Sequence, residues 1–410
     1  MRIGIIIDNE LNNDKRVLRE ADILKEHGYE IFILCFGFDN NIYCNIAGIN
    51  ITRIKIRKRT KDILFFILNS ISIYEWFWSL RIKKFIINNH LEVLHVHDLY
   101  MSRAAHSGRK KAGMKIPVIL DLHENYPFAV TTYNWTKGFL RSLISRPKEW
   151  KRKEKEYLGY SDKVVVLSEE FKEDLINRYP ELKEKEFLVL PNVPDLRQLE
   201  QSNTNLVKIT FKKTAPIIFY FGVIAERRGV FNALRVFSEL IKENNHAVFL
   251  LIGPVDKKDK KSFFTIIHSE TLANHVRYIP WIDLSELPAY LEISDICIAP
   301  FEKNPQHESG IANKIFDYMS GKKPIVASDC RPQQKLIEKY NCGIVYRNDT
   351  EMKNAIIKLL SNKQLNMEMG LNGYKAVMEE FNTDKVKEQL LKFYSEIEAV
   401  ASKDRSKDSI

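Results

Sequence analysis

Short apolar runs alternate along the chain with longer amphipathic stretches. Residues 2–7 form an apolar run that predicts a buried strand, residues 17–24 keep the period of a helix, and residues 30–36 predict the next strand. Strand, helix and strand in this order are typical of a βαβ unit, so we predict a parallel sheet and an α/β fold. Further strands are predicted at residues 91–97, 118–122, 163–167, 187–190, 217–221, 248–252, 276–279, 296–299 and 324–327.

The alternation is interrupted once, near the middle of the chain. Pro191 and Pro194 break the pattern, and the polar run QSNTN at residues 201–205 is typical of a linker. Because 410 residues exceed what one hydrophobic core usually serves, we predict two Rossmann-like domains that face each other across a cleft. The predicted segments are one domain at residues 1–195, a second at 206–382, a helix at 383–402 that packs back on the first domain, and a flexible tail at 403–410.

The segment at residues 308–329, ESGIANKIFDYMSGKKPIVASD, combines a loop, a helix, a turn and a strand. Apolar residues recur at helical spacing from Ile311, and Gly321 ends the helix before the strand. Backbone N–H groups at such a helix N-terminus favour an anion, above all a phosphate. Lys314 adds a cation in the first turn, and Asp317 is placed to accept hydrogen bonds from hydroxyls. This combination suggests a nucleotide sugar, and the alternative is a surface helix with a salt-bridged Lys and Asp.

Polar residues also follow the predicted strands of the N-terminal half, at the sheet edge where α/β proteins bind ligands. The first strand is followed by Asn12, Asn13, Asp14 and Arg16, which either face a ligand or cap the next helix.

Two later strands end in histidine and carboxylate pairs, His97 with Asp98 and His123 with Glu124. No third ligand stands at a spacing typical of a metal site, so we predict no metal there. We expect hydrogen bonding or proton transfer from His123 and a structural role for His97.

Composition and charge narrow the classes of partner and compartment. The net charge of +10 suits nucleic acid, an anionic membrane or a phosphorylated ligand, and a solvated basic surface accounts for it equally. We predict a phosphorylated ligand and no nucleic acid. The five cysteines are odd in number and lack CxxC spacing, which favours a reducing, cytoplasmic setting. The N-terminal apolar run is too short for a signal peptide, and no run reaches the length of a membrane span.

A basic strip precedes an aromatic stretch in the N-terminal half. Residues 53–61 hold six basic residues and no acidic one, and residues 63–80 predict one amphipathic helix. Its polar side would carry Asp62, Asn69, Ser72, Glu75 and Ser79. The strip and helix together predict docking on the inner face of an anionic membrane, helped by a second basic cluster at residues 148–155. The alternative is a domain helix whose apolar face belongs to the core.

Several motifs in order resemble the retaining nucleotide-sugar glycosyltransferases of the GT-B fold, family 4 (glycosyltransferase group 1). In the N-terminal half these are DNELNNDKRVLREADILKEHGYEI, HVHDLY, DLHENYP and VVVLSEEFKEDL, which resemble the acceptor domain of that family. In the C-terminal half YFGVIAERRG, SDICIAPF and NKIFDYMSGKKPIVASD resemble its donor domain. The resemblance extends over nearly the whole chain.

The resemblance implies roles for individual residues. Asp317 matches the second carboxylate of the family's paired-glutamate motif, which holds the ribose hydroxyls, and either Glu308 or Ser309 lies near the first. Arg228 matches the basic residue that binds the pyrophosphate, whereas Val223 replaces the family's other arginine. The implied catalytic residues are His123, Arg228 and Lys314. The implied donor-binding residues are Gly222, Arg227, Ile282, Glu308, Ser309, Gly310, Ile311, Asn313 and Asp317. On the acceptor side they are Asn12, Asn13, Arg16, His97 and Glu124.

The resemblance also implies the reaction. A hexosyltransferase of this type moves a sugar with retention from a nucleoside diphosphate to a saccharide or lipid-linked acceptor, without a metal or other cofactor, in bacterial surface polysaccharide or glycoconjugate assembly. Fixed cations and helix dipoles suit the dianionic leaving group. Two alternatives stay open, namely a sugar-nucleotide 2-epimerase of the same fold and a non-catalytic partner of another transferase.

Overall fold

The chain folds into two compact units. The structure, a computed structural model, describes residues 1–38, 46–68, 71–133, 136, 138–194, 215–243 and 246–407, with the backbone alone at Asn13 and residues 401–407. The N-terminal unit comprises Met1–Pro191 and the chain from Val386 onward, and the C-terminal unit comprises Asn192–Lys385. The predicted boundary at residue 195 and the linker at residues 201–205 lie outside the described residues.

The N-terminal unit is built on a seven-stranded parallel sheet in the order β3-β2-β1-β4-β5-β6-β7. Its strands are β1 (Arg2–Ile6), β2 (Glu30–Gly37), β3 (Ile49–Lys55), β4 (Val93–His97), β5 (Val118–Asp121), β6 (Lys163–Val166) and β7 (Glu186–Val189). The strand order reverses between β1 and β4, which pair directly. In a doubly wound sheet this reversal opens a crevice at the carboxyl ends of the two strands, where ligands bind.

The helices of this unit connect its parallel strands. They are α1 (Lys15–Glu26), α2 (Lys58–Phe66), α3 (Ile73–Asn89), α4 (Ser102–Ala112), α5 (Tyr126–Thr132), α6 (Phe139–Ser145), α7 (Trp150–Gly159) and α8 (Glu169–Arg178). Asp14 caps the first of them, because its carboxylate accepts the N–H of Val17 at 3.1 Å. The capping alternative of the sequence analysis therefore holds for Asp14.

The C-terminal unit repeats the architecture with a six-stranded parallel sheet in the order β10-β9-β8-β11-β12-β13. Its strands are β8 (Ile217–Phe221), β9 (Val248–Ile252), β10 (Val276–Ile279), β11 (Ile296–Ala299), β12 (Ile325–Ser328) and β13 (Gly343–Tyr346). Its helices are α9 (Val230–Lys242), α10 (Lys260–Ile267), α11 (Leu287–Ile293), α12 (Asn313–Ser320), α13 (Arg331–Tyr340), α14 (Asp349–Ser361) and α15 (Lys363–Glu379). Here the strand order reverses between β8 and β11, which pair directly.

Both faces of the C-terminal sheet are covered. Ile217 and Phe219 of β8 belong to one buried apolar cluster, and Ile218 and Tyr220 belong to another. Since alternate residues of a strand point to opposite faces, the two clusters lie on opposite sides of the sheet. This explains why the strands read as unbroken apolar runs, as the strands of parallel sheets do.

The last helix, α16 (Thr383–Lys407), crosses from the C-terminal unit into the N-terminal unit. Within the N-terminal unit the Tyr394 hydroxyl forms a 2.8 Å hydrogen bond with His95 Nδ1. Lys387 pairs with Glu26 of α1 at 3.0 Å. The end of the chain is thus part of the N-terminal unit, and its helix bonds to a strand and a helix of that unit.

Two edge strands and one helix differ from the prediction. β3 was not predicted and overlaps the start of what was interpreted as a basic strip, and β13 was not predicted either; both are edge strands of their sheets. The single helix predicted at residues 63–80 is wrong, because the structure has α2 and α3 there instead.

The polar side predicted for that helix also faces the wrong way. Glu75 and Ser79 are buried, whereas Ile73 and Trp76 are exposed. The cause is tertiary: Glu75 accepts a hydrogen bond from the Tyr157 hydroxyl and lies 3.4 Å from Arg103. A polar side chain with such partners is stable in the interior. In the described part of the chain no helix is long and apolar enough to cross a membrane.

Gly229 is the position where the C-terminal unit requires glycine. Its φ is +72°, and a Cβ built there would lie 1.5 Å from the carbonyl oxygen of Pro300. We expect Gly229→Ala to lower the free energy of unfolding of this unit by more than about 3 kcal/mol, since backbone would collide with a side chain. Native-state hydrogen exchange reports each unit separately and would measure this loss.

The matched control is Gly28→Ala in the N-terminal unit. Gly28 has a φ of +94°, and apart from its two chain neighbours no described residue has an atom within 4 Å of the built Cβ, so only the backbone penalty of about 1 to 2 kcal/mol is expected. Equal losses in the two variants would contradict the role of the Pro300 contact.

Candidate functional site

In the C-terminal unit, polar and aromatic residues gather where the sheet order reverses. Gly222 follows β8 with a φ of +123°, and Phe301 lies two residues after β11. A Cβ at Gly222 would lie 3.1 Å from Lys314 Nζ, so the glycine leaves room for the lysine. The strand ends and the start of α12 therefore converge at the switch point of this unit.

Two cations share the ring of Phe301. The Arg228 guanidinium lies 5.6 Å from its centroid and the Lys314 ammonium 5.1 Å, while Lys314 also lies 3.5 Å from the centroid of Tyr220. Lys314 is only 8% exposed. Among the described residues, Lys314 Nζ and Arg228 Nε have no hydrogen-bond partner. Aromatic faces stabilise cations weakly compared with a carboxylate, so the positive charge here is poorly compensated.

The pKa values reflect this lack of compensation. Burial lowers the pKa of Lys314 well below its usual value, and the neighbouring charge of Arg228 lowers it further. Burial also lowers the pKa of Arg228. His307 lies near the same positive charges. Burial and these charges lower its pKa to about 4. An anion bound here would raise the pKa values of all three side chains, because it favours their charged forms.

Helix α12 presents its N-terminus without a side-chain cap. Ala312 is the capping residue, and Asn313, the first helical residue, is exposed. The helix is tied to the sheet because the Tyr318 hydroxyl accepts the N–H of Phe221 at 2.9 Å. Lys314 is thereby held beside the end of β8, and Asp317 lies half-buried one turn further on. The helix ends at Gly321 as predicted but begins at Asn313, so Ile311 precedes it.

Other predicted donor-side residues already have partners within the protein. Glu308 accepts the N–H of Arg331 at 3.1 Å, at the start of α13, and the Ser309 hydroxyl donates to the carbonyl of Pro305 at 2.6 Å. Arg227 lies 3.8 Å from Asp256 and is largely exposed. Ile282 is buried, and Gly310 and Ile311 are half-buried.

In the N-terminal unit, buried charges are paired. Arg16 contacts Asp121 through Nη2 at 2.9 Å, Glu20 at 3.0 Å and the carbonyl of Leu190 at 3.0 Å. This arrangement gives Arg16 a structural role and leaves little of its guanidinium for the ligand contact we predicted. Asn12 is half-buried, and the side chain of Asn13 lies outside the described residues.

Three histidines adjoin Asp121. His97 Nδ1 and His123 Nε2 form a 2.8 Å hydrogen bond, and the ring of His95 stacks on that of His97 at 4.7 Å. His97 is buried, which lowers its pKa well below the usual value. Burial alone would lower the pKa of His123 too, but the Asp121 carboxylate outweighs it and raises that pKa to about 9. His123 is therefore an imidazolium at neutral pH, with His97 as its neutral partner.

Acidic groups surround this imidazolium at the carboxyl ends of the strands. Burial raises the pKa of Glu124 to about 7, and its carboxylate accepts the Tyr133 hydroxyl at 2.5 Å. Burial likewise raises the pKa of Asp8 to about 6 and that of Asp98, which accepts the Tyr100 hydroxyl at 3.0 Å. Neither Asp8 nor Asp98 was predicted from the sequence as a site residue. Their positions just past β1 and β4, at the switch point, were the signal that identifies them.

The histidine cluster contains two sets of potential metal ligands. Ligand atoms of Glu20, His95 and His97, and of His97, Asp121 and His123, lie within 4.8 Å of one another. Arg16 already occupies both carboxylates of these sets. A second cation would meet the charges of Arg16 and the His123 imidazolium, so the donor set suits the guanidinium better than a metal.

The stability of the N-terminal unit should depend on the protonation of His123. Because its pKa is raised from 6.5 to about 9 on folding, the stabilisation is complete below about pH 6 and disappears as the pH rises through about 9. We expect the free energy of unfolding of the wild type to exceed that of His123→Gln by about 3 kcal/mol at low pH and by little above pH 9. Urea unfolding across this range measures the difference. The exposed His27→Gln is the control, and parallel curves for wild type and His123→Gln would refute the assignment.

Two family models match the chain. Glycosyltransferase Family 4 matches residues 15–198, and Glycosyl transferases group 1 matches residues 201–376. Alpha-D-kanosaminyltransferase from Streptomyces kanamyceticus is 26% identical over 44% of this chain and 46% of its own length, so the chain spans about half of that relative.

Solved structures share the fold. Sucrose-phosphate synthase from Thermosynechococcus elongatus is 15% identical, with a TM-score of 0.75 over 98% of this chain and 100% of the other. Anabaena HepE in complex with UDP is 11% identical, with a TM-score of 0.68 over 96% and 99% of the two chains. Together with the two parallel α/β units, these matches show that the chain belongs to the family 4, group 1 glycosyltransferases of the GT-B fold.

Proposed function

We propose that the protein is a retaining glycosyltransferase that moves a hexose from a nucleoside-diphosphate sugar to a saccharide or lipid-linked acceptor. The observation that carries this proposal is a pair of cations, the half-buried Arg228 and the buried Lys314. In the part of the chain that the structure describes, Arg228 Nε and Lys314 Nζ have no hydrogen-bond partner. A protein interior tolerates such charge when a ligand supplies the anion. The β-phosphate of the leaving nucleoside diphosphate gains negative charge as the sugar bond breaks, and it suits this position.

The donor would occupy the switch point of the C-terminal unit. The uncapped N-terminus of α12 adds backbone N–H groups to the charge of Lys314. Asp317 would accept the ribose hydroxyls. Binding of UDP by the similar HepE structure supports a uridine nucleotide as the first donor to test. Glu308 is a poorer candidate for the sugar contact than the family pattern implies, because its carboxylate already accepts the N–H of Arg331.

His123 would act by hydrogen bonding to the transferred sugar. An imidazolium with a pKa of about 9 cannot remove a proton at neutral pH, so it serves as a donor rather than as a base. The acceptor hydroxyl would pass its proton to the leaving phosphate on the same face of the sugar, which gives retention without a protein nucleophile. Glu124, with a pKa of about 7, would orient the acceptor.

We propose that this reaction needs no metal or other cofactor. Arg228, Lys314 and the α12 N-terminus supply fixed positive charge at the place where a divalent cation would otherwise stabilise the leaving group. The reaction would serve bacterial surface polysaccharide or glycoconjugate assembly on the cytoplasmic side of the membrane. The four described cysteines are buried and form no disulfide with one another, which supports a reducing compartment.

Replacement of the buried lysine should have opposite effects on stability and on binding. We expect Lys314→Met to weaken binding of a nucleoside diphosphate such as UDP by about tenfold to hundredfold, because a charge-assisted hydrogen bond is lost. The same change should raise the free energy of unfolding of the ligand-free protein by about 1 kcal/mol or more, since an uncompensated buried charge is removed. Calorimetric titration and urea unfolding measure the two effects.

Arg228→Ala and Asp317→Ala should also weaken donor binding, and the exposed Lys242→Met is the control that should change neither quantity. Unchanged nucleotide affinity in Lys314→Met, Arg228→Ala and Asp317→Ala would rule out this donor site. A loss of stability in Lys314→Met would contradict the account of the buried charge.

Transfer is distinguished from epimerisation by omitting the acceptor. A panel of nucleotide sugars is first screened for thermal stabilisation, because a ligand of the native state raises its apparent stability. With the selected donor, we expect nucleoside diphosphate to form only when an acceptor is present, and the product to keep the anomeric configuration of the donor by NMR. Formation of an epimeric nucleotide sugar without acceptor would favour a 2-epimerase, and an inverted product would overturn the retaining mechanism.

A further inference from the structure

Helix α6 of the N-terminal unit exposes its apolar side chains. Phe139, Leu140, Leu143 and Ile144 are 84%, 69%, 61% and 41% exposed. Residues spaced i, i+1, i+4 and i+5 share one side of a helix, so these four form a single apolar stripe. Isolated exposed apolar residues are common on proteins, whereas a contiguous stripe on one short helix marks a contact surface.

The helix is oriented by residues that follow it. Ser145, on the side opposite the stripe, is buried, and its hydroxyl donates to the carbonyl of Arg141 at 2.7 Å. Pro147 and Trp150 are buried next, and Trp150 packs edge-on against Tyr126 at 4.9 Å. The helix therefore packs against the unit through the side that carries Ser145 and through its C-terminal end. Its apolar side faces solvent as a consequence of this anchoring.

Basic residues flank the stripe in the sequence. Residues 138–153 contain six basic residues and one acidic residue, a net charge of +5. The basic residues are Arg141, Arg146, Lys148, Lys151, Arg152 and Lys153. The single acidic residue, Glu149, lies 3.6 Å from both Arg146 and Arg152. Positive charge therefore exceeds negative charge in this segment, which favours an anionic partner.

A row of aromatic rings connects this surface to helix α2. Phe65 contacts Tyr100 at 4.9 Å, Tyr100 contacts Tyr126 at 4.8 Å, and Tyr126 contacts Trp150 at 4.9 Å. Helix α2 begins with the exposed basic residues of the 53–61 strip. The strip and the surface around α6 are therefore joined by one packed layer rather than by a mobile connection.

We propose that the N-terminal unit docks on an anionic lipid bilayer through the α6 stripe, defined as Phe139, Leu140, Leu143 and Ile144, with the surrounding cations at the headgroups. An apolar stripe flanked by lysine and arginine fits a bilayer, which offers acyl chains below an anionic surface. The proposal deepens the proposed function, because a bilayer surface would bring the enzyme to a lipid-linked acceptor. Docking itself needs no donor or acceptor, so vesicle binding and sugar transfer can fail independently.

The test is flotation of the full chain with vesicles of phosphatidylcholine and phosphatidylglycerol at low salt. We expect wild type to float with these vesicles and to be released at high salt, since salt screens the headgroup attraction. Leu140→Ser/Leu143→Ser should bind at least about tenfold more weakly, because less apolar area enters the acyl region. The control Met367→Ser/Leu371→Ser, which changes two exposed apolar residues of the C-terminal unit, should bind as wild type does.

A second variant separates charge from apolar contact. Arg141→Glu/Lys148→Glu should lose binding to the anionic vesicles while urea unfolding and nucleotide affinity stay unchanged. The proposal is overturned if wild type does not float, or if folded Leu140→Ser/Leu143→Ser floats as wild type does. It is also overturned if that variant only dissociates an oligomer seen by sedimentation, because the stripe would then contact a second copy of the chain.

Discussion

The C-terminal unit is organised around a buried lysine ammonium that has no hydrogen-bond partner among the residues that the structure describes. Lys314 is held beside the end of β8 because Tyr318, on the same helix, accepts the N–H of Phe221, and Gly222 leaves space for its ammonium. Arg228 brings a second cation to the ring of Phe301. The sheet, the turn at Gly229 and helix α12 together hold the two cations in place, although burial disfavours the charged form of each side chain. Such an arrangement is typical of a site whose ligand completes the electrostatics.

In the N-terminal unit, by contrast, the buried arginine is paired with carboxylates. Arg16 joins Asp121 and Glu20, and the remaining charge of Asp121 keeps His123 protonated through neutral pH. His97 fixes the orientation of that ring by a direct hydrogen bond. The unit therefore presents a fixed donor rather than a base. In a reaction whose leaving group takes the acceptor proton, a base from the protein is not required.

On the surface of the N-terminal unit, tertiary contacts override the hydrophobic pattern of two helices. In α3 the polar residues Glu75 and Ser79 turn inward because Tyr157, Arg103 and Lys111 supply partners. In α6 the apolar stripe turns outward because the chain is anchored through Ser145 and Trp150. Hydrophobic pattern alone predicts the opposite orientation in both helices. Exposed apolar side chains beside basic residues are the result, and they motivate the bilayer proposal.

The sequence by itself determined the α/β class, eleven strand positions to within two residues and the motifs that identify the family, because buried parallel strands and glycine turns leave local signals. It also indicated Lys314, Asp317 and His123 as site residues, since they stand next to predicted strand ends and helix starts, and the family resemblance added Arg228. Only the tertiary structure decided that Arg16 and Glu308 have partners inside the protein, that Lys314 and Arg228 share the Phe301 ring, and which faces of α3 and α6 are buried. Those outcomes depend on residues far apart in the chain, which no local pattern records.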